Sequence, residues 1–126
     1  MTAVQAIFKE CEKVGAWYEI PISSIDQRNH LGDTVLHTVC TWGDADAVQT
    51  LLRAGADANA TGDQQAGPLF NAIVGKSLPV VRLLLKAGAD PTRANGYDRL
   101  PVEYARNVGA PEAIIDLLAS AARNKR

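Results

Sequence analysis

Leu51-Leu52-Arg53-Ala54-Gly55-Ala56-Asp57 returns 33 positions later as Leu84-Leu85-Lys86-Ala87-Gly88-Ala89-Asp90. Self-similarity at a fixed period of a few tens of residues marks a repeat architecture, in which each unit is one supersecondary element that cannot bury its apolar face alone. The same offset carries Val48 to Val81 and Ile114, Leu36 to Leu69 and Val102, and the Leu-Leu pair to Leu117-Leu118. Pro68 returns as Pro101 and Ala72 as Ala105, so a third copy is supported by its front half as well as by its leucines.

Each unit contains two short helical patterns. In the first, Leu36, Val39 and Cys40 lie three and four residues apart, and Val48, Leu51 and Leu52 repeat that spacing after a break at Gly43-Asp44. Residues so spaced share one helix face, so the pattern predicts a helix-turn-helix whose apolar sides are covered by stacking on the next unit. Gly55 and Gly88 follow the Leu-rich helices, where a left-handed closing residue is wanted and glycine carries no Cβ penalty. Pro68 and Pro101 fall in the first turn of their helices, where the missing N–H costs nothing.

Further out, Val4, Ile7, Phe8 and Cys11 form an apolar stripe that predicts an N-terminal capping helix. Trp17-Tyr18-Glu19-Ile20-Pro21-Ile22 reads as the degenerate second half of a capping repeat, with Trp17 covering the open side of the first full unit. At the other end Ile114, Ile115, Leu117 and Leu118 line one face. The closing Arg123-Asn124-Lys125-Arg126 complements a helix C-terminus and is expected to fray. The expected organisation is one all-α domain over residues 1–126: a capping helix or degenerate repeat in 1–28, repeats in 29–61 and 62–94, and a third repeat with C-terminal cap in 95–126.

Gly32-Asp33-Thr34-Val35-Leu36-His37 resembles the Thr-Pro-Leu-His signature of the ankyrin family, whose repeat has this period, with Val in the place of Pro. The second copy reads Gly67-Pro68-Leu69-Phe70 and the third Leu100-Pro101-Val102-Glu103, so the signature decays along the chain while the spacing does not. The resemblance runs from Asn29 to the C-terminus. It implies a solenoid of stacked helix-turn-helix units with β-turn or hairpin-like finger loops, shaped like a cupped hand, whose partners lie on the concave side. In that register the finger positions are His30, Leu31 and Asp33, then Asp63, Gln64 and Ala66, then Gly96, Tyr97 and Arg99. The palm positions are Thr41-Trp42, Val74-Gly75 and Asn107-Val108.

From these the expected partner-binding residues are Leu31, Asp33, Thr41, Trp42, Gln64, Tyr97, Arg99 and Asn107. Trp42 leads them, because its register position faces outward while it carries the largest apolar side chain. Gly75 beside it is expected to leave open space in which a partner side chain lodges; the alternative is that the indole packs across Gly75 within the chain. Tyr97 and Arg99 belong to the residue types that dominate interface hot spots. The second finger, Thr61 to Gly67, lacks the turn sequence of the first. Its Gln64-Gln65 tip is either a hydrogen-bonding surface for a partner backbone or a solvated loop.

Composition narrows the function classes. Lys plus Arg number 13 against 14 for Asp plus Glu, so the chain has no net field to draw in nucleic acid or an anionic membrane. Apolar residues make up 47%, enough for a core, yet no run approaches the roughly 18 that a membrane span needs. The first residues carry neither a basic leader nor an unbroken apolar stretch, so no signal peptide is expected and a cytoplasmic location is the default. Cys11 and Cys40 stand singly, without ligand spacing, and read as buried thiols.

No set of residues reads as catalytic. His37 belongs to the repeat signature and is expected to bridge neighbouring turns, and His30 falls in a turn. Gly75-Lys76-Ser77 resembles the end of a phosphate-binding loop, but Phe70 stands where that loop needs its first glycine. Glu10, Glu12, Glu19, Asp98 and Glu103 show no paired spacing. The expectation is a monomeric protein-interaction module, an adaptor or scaffold without cofactor or metal. A stoichiometric inhibitor or immunity protein is the alternative within that class, and a small-ligand binder or enzyme using His30 and His37 is the contrasting one.

Overall fold

The short polar side chains between apolar runs start helices by accepting the backbone N–H groups that a first turn leaves unpaired. Asp44 accepts the Ala47 N–H at 3.1 Å and Ser77 that of Val80 at 3.3 Å, while Pro68 and Pro101 open their helices without a donor to satisfy. A computed structural model describes residues 1–125; Arg126, the end of the charged tail, lies outside them. Among the described residues there are seven α-helices: α1 (Ala3–Cys11), α2 (Val35–Trp42), α3 (Ala45–Arg53), α4 (Pro68–Val74), α5 (Leu78–Lys86), α6 (Pro101–Asn107) and α7 (Glu112–Asn124). Among the described residues there is no strand.

The helices pair as α2 with α3, α4 with α5 and α6 with α7, and the pairs stack: α2, α4 and α6 form one row and α3, α5 and α7 the other. This is the expected solenoid. The shared interior holds Leu36, Val39 and Val48 of the first unit, Ala72, Val81 and Leu84 of the second, and Ala105, Ile114 and Leu118 of the third, all buried. Each unit alone would leave apolar side chains in water on the faces that its neighbours cover, so stacking supplies the hydrophobic stabilisation that a lone helix pair lacks.

Gly55 and Gly88 close α3 and α5 at φ values of 99° and 96°, a conformation that suits glycine. Ala121 stands at the matching register in the third unit, and α7 runs on to Asn124, 13 residues against 9 for α3 and α5. The third unit also corrects the register read from sequence. Asp44 and Ser77 precede their helices 33 positions apart, but Pro111, which precedes α7, lies 34 after Ser77. Ile114 keeps the buried place of Val48 and Val81, but past that extra link residue the leucine pair is exchanged: Leu118 is buried and Leu117 half-buried, the reverse of Leu84-Leu85.

The N-terminal segment also differs from expectation. Residues 15–17 form a single 3₁₀ turn and not a second helix, and Trp17, 1% exposed, donates its indole Nε1–H to Thr38 Oγ1 on α2 at 2.9 Å. The likeness to a second helix belongs to α1 instead: Ala3-Val4-Gln5-Ala6-Ile7-Phe8-Lys9 reads against Ala47-Val48-Gln49-Thr50-Leu51-Leu52-Arg53 of α3. Packed across both α2 and α3, α1 buries Phe8 and Cys11, and the Trp17 turn folds over the remaining side of α2. Glu12 secures this segment by accepting the Ile22 N–H at 2.8 Å, a bond that holds its carboxyl below the usual carboxylate range. Both cysteines are free and buried; burial pushes the Cys11 thiol up to about 12 and that of Cys40 up as well, so neither offers a thiolate.

Side chains also bridge units at the loops between helix pairs. Asn59 donates to the Gly88 carbonyl at 2.9 Å and accepts the Asp90 N–H at 2.8 Å. Lys125 pairs with Asp90 at 3.3 Å, tying the tail of α7 to the second unit.

Candidate functional site

The fingers share one backbone plan. In the first, Asn29 Oδ1 accepts the N–H groups of Leu31 at 2.9 Å and Asp33 at 3.1 Å, and the Asn29 N–H closes on the Asp33 carbonyl at 2.9 Å. In the third, Asn95 does the same for Tyr97 at 3.0 Å and Arg99 at 3.2 Å, and closes on the Arg99 carbonyl at 3.0 Å. An asparagine side chain thus stands in for a turn's backbone acceptor, which leaves the tip side chains unused.

The second finger keeps the closure, Gly62 N–H to the Ala66 carbonyl at 2.9 Å, but has Gly62 where the others have asparagine. The Ala66 N–H, which an asparagine would take, goes instead to the Asp63 carbonyl at 3.1 Å, and the neighbouring finger adds a bond of its own: Asp33 Oδ1 takes the Asp63 N–H at 2.8 Å. A Cβ on residue 62 would collide with that carboxylate and stand 2.9 Å from His37 Nε2, so only glycine admits this approach. On its other side the Gln64 carbonyl accepts the Gly96 N–H at 2.7 Å. The three fingers are therefore joined in a row, with Gln64 and Gln65 held at φ values of 58° and 57°.

His37 locks this row to the palm. Its Nδ1 accepts the Thr34 N–H at 3.1 Å, which leaves the proton on Nε2 to donate to the Ala66 carbonyl at 3.1 Å. Burial holds its pKa below the usual histidine value against the opposing pull of Asp33, so the ring is neutral and serves as the expected bridge between turns.

Along the palm the first helices are cross-linked. Asn71 Nδ2 donates to Thr41 Oγ1 at 3.0 Å, and the Phe70 and Tyr104 rings meet edge to face with centroids 5.5 Å apart. Gly75 corrects the sequence reading: there is no open space at its position, because a Cβ there would stand 2.6 Å from the Cys40 carbonyl oxygen and 2.8 Å from that of Thr41. The glycine lets the ends of α2 and α4 meet backbone to backbone. Trp42, 44% exposed, contributes instead to a hollow of about 250 Å³ on its other side, shared with Val14, Trp17, Leu31, Asp33 and Thr41.

A second hollow of about 180 Å³ lies between the fingers and the palm, with Asp33, Asp63, Gln64 and Asn95 on one side and Phe70, Asn71, Val74 and Tyr104 on the other. Asp33 and Asn71 line both, so the two hollows adjoin as one groove along the palm. Of the residues singled out from sequence, the structure brings together Leu31, Asp33, Thr41, Trp42 and Gln64 along this groove. It places Tyr97, Arg99 and Asn107 outside both hollows, all exposed, at the third finger and the end of α6. Asp63, read as a finger position but not among the expected partner-binding residues, also lines the groove, and Asn71 and Tyr104 were missed. Asn71 and Tyr104 fall 33 and 66 positions after Thr38, a register that would have found them. Among the described residues no His, Cys, Asp and Glu side chains cluster closely enough to hold a metal ion, and no helix is long and apolar enough to cross a membrane.

Residues 1–95 match a family model described as ankyrin repeats, in three copies. The chain is 37% identical over 70 residues to human BCL-6 corepressor-like protein 1, an overlap covering 56% of this chain and 4% of that one. It is 32% identical over 91 residues to human Ankyrin repeat and SOCS box protein 16, covering 66% of this chain and 20% of the relative. To the Neurogenic locus Notch protein of Drosophila melanogaster it is 32% identical over 90 residues, covering 71% and 3%. The chain thus spans from 3% to 20% of the length of these relatives.

Proposed function

Because the chain belongs to the ankyrin-repeat family, we propose that it holds a protein partner against its concave finger and palm surface and acts as an adaptor or scaffold. Ankyrin repeats are generally protein–protein interaction modules, and the repeat alone does not name a partner. The observation that carries the reading to this face is the apolar surface left uncovered there: Leu31, Trp42 and Val74 are 54%, 44% and 51% exposed along one groove. Apolar side chains gathered on a rigid concave wall give a partner area to bury without ordering a loop first, which lowers the cost of association. The same reading takes the chain as a monomer working in the cytoplasm, where two buried, unpaired thiols are at home. It needs no catalytic group and no cofactor.

The test is affinity capture with the wild-type chain and Trp42→Ala in parallel, followed by calorimetric titration of the captured protein against both. Truncating a central aromatic anchor is expected to cost about 2 kcal/mol, roughly thirtyfold in affinity. Equal binding by both baits would remove Trp42 from the contact, and equal binding by variants at Leu31 and Val74 as well would move the interface off the concave face.

A further inference from the structure

The groove is not uniformly apolar, and its charges are all of one sign. Where Trp42, Leu31 and Val14 line the first hollow, the wall is apolar; where it passes Asp33 into the second, it carries the carboxylates of Asp33 and Asp63 with the amides of Gln64 and Asn71. Among the described residues no Lys, Arg or His lines either hollow. Among the described residues neither aspartate is in a salt bridge, and one Asp33 oxygen is engaged only by the Asp63 N–H. Arg28 is turned to the carbonyls of Gly32 and Thr61 and lines a separate hollow with Asp26 and Asp57. The Phe70 and Tyr104 pair borders the acidic hollow, and an aromatic face attracts a cation as carboxylates do.

Resting on the concave-face reading above, we propose that the groove selects an extended segment of its protein partner carrying a bulky apolar side chain for the Trp42 hollow and a neighbouring Arg or Lys for the Asp33 and Asp63 hollow. The two side chains are neighbours in the segment because the two hollows share Asp33 and Asn71. An acidic partner residue at the same place would meet two carboxylates that have no salt-bridge partner among the described residues, so the charge discriminates against the wrong segment as well as drawing in the right one.

The proposal is tested on the ¹⁵N-labelled full chain by titration to millimolar concentration with two blocked peptides, acetyl-Trp-Ala-Arg-Ala-amide and acetyl-Trp-Ala-Glu-Ala-amide, reading amide shifts. The arginine peptide is expected to shift the amides of Asp33, Asp63, Asn71 and Tyr104 and to bind about tenfold more tightly than the glutamate peptide, with the preference shrinking as salt is raised. Asp33→Asn with Asp63→Asn is expected to erase the preference; the asparagine at residue 33 keeps an acceptor for the Asp63 N–H, and unchanged amide dispersion certifies the fold. Equal binding of both peptides in the groove would overturn the charge selection and leave the concave-face reading standing. Shifts confined to another face would overturn both, and no groove shifts with either peptide at millimolar concentration would overturn the proposed pairing of apolar and cationic subsites.

Discussion

Along the second helices the units nearly repeat one another: Val48 and Val81 are fully buried, as are Leu51 and Leu84. Along the fingers the matching positions carry Leu31, Gln64 and Tyr97, side chains with nothing in common except that all three are exposed. Both regions come from one repeating unit, but neighbours constrain them differently. In the helix rows each side chain is pressed by the unit on either side, so identity is held. In the fingers the constraint falls on backbone hydrogen bonds made by Asn29, Asn95 and Asp33, and the tips are free to vary with the partner.

The largest expected effect lies in the helix rows. Leu84→Ala removes a fully buried side chain from the middle of the stack and is expected to cost 2–5 kcal/mol, about the range for such cavities, in urea unfolding. Leu85→Ala, half-buried, is expected to cost clearly less. Near-equal losses would mean that the two positions are not distinguished by packing, and the contrast would fail.

The next effect lies where the rows meet the palm. Gly75→Ala forces a Cβ against two carbonyl oxygens of α2, neither of which can swing aside as a side chain would, and is expected to cost about 1–3 kcal/mol. Gly67→Ala is the control, since a Cβ there meets nothing within 4 Å. If both alanines are tolerated alike by thermal denaturation, the close approach of α2 and α4 is not a constraint on the stack.

These positions also show what could be read before the fold was known. Burial follows the helical period, so the helix pairs, the glycines that end α3 and α5 and the prolines that begin α4 and α6 were legible from one unit at a time. Gly75 was not: the absence of a side chain is compatible with open space or with a close approach, and only the adjacent unit decides. The extra link residue at Pro111 escaped because Leu117-Leu118 looks the same shifted by one. Of the groove, the places of Leu31, Asp33, Trp42, Asp63 and Asn71 are set by register, whereas the bonds that tie Asp63 to Asp33 and Asn71 to Thr41 run between units and no single repeat encodes them.

His37 links the two regions, and pH sharpens their comparison. Its folded pKa is held below the ordinary value of about 6.5, so below that pH the unfolded chain binds a proton that the buried ring resists. Stability is therefore expected to fall as pH drops from 7.5 to 5.5, by at most about 1.4 kcal/mol per pH unit for one proton. His37→Gln is expected to be weaker at pH 7.5 but flatter across this window, read from urea midpoints. Parallel pH dependences for the two proteins would show that the bridge from palm to finger does not resist protonation.

The smallest effect tests the fingers themselves. Gly32, Gln65 and Asp98 occupy one register position with φ values of 89°, 57° and 60°, so the same left-handed turn is made by three different residues. That conformation crowds a Cβ against the following carbonyl, a cost that glycine escapes and that aspartate bears more easily than glutamine because its short side chain bonds locally. Gln65→Gly is expected to raise stability by a few tenths up to about 1 kcal/mol, part of the relief being offset by the greater freedom of glycine in the unfolded chain. Asp98→Gly should gain less. Chemical denaturation of both variants decides the matter: a loss of stability in Gln65→Gly would mean that the glutamine side chain itself supports the second finger, and the fingertips would then be bound by packing as the helix rows are.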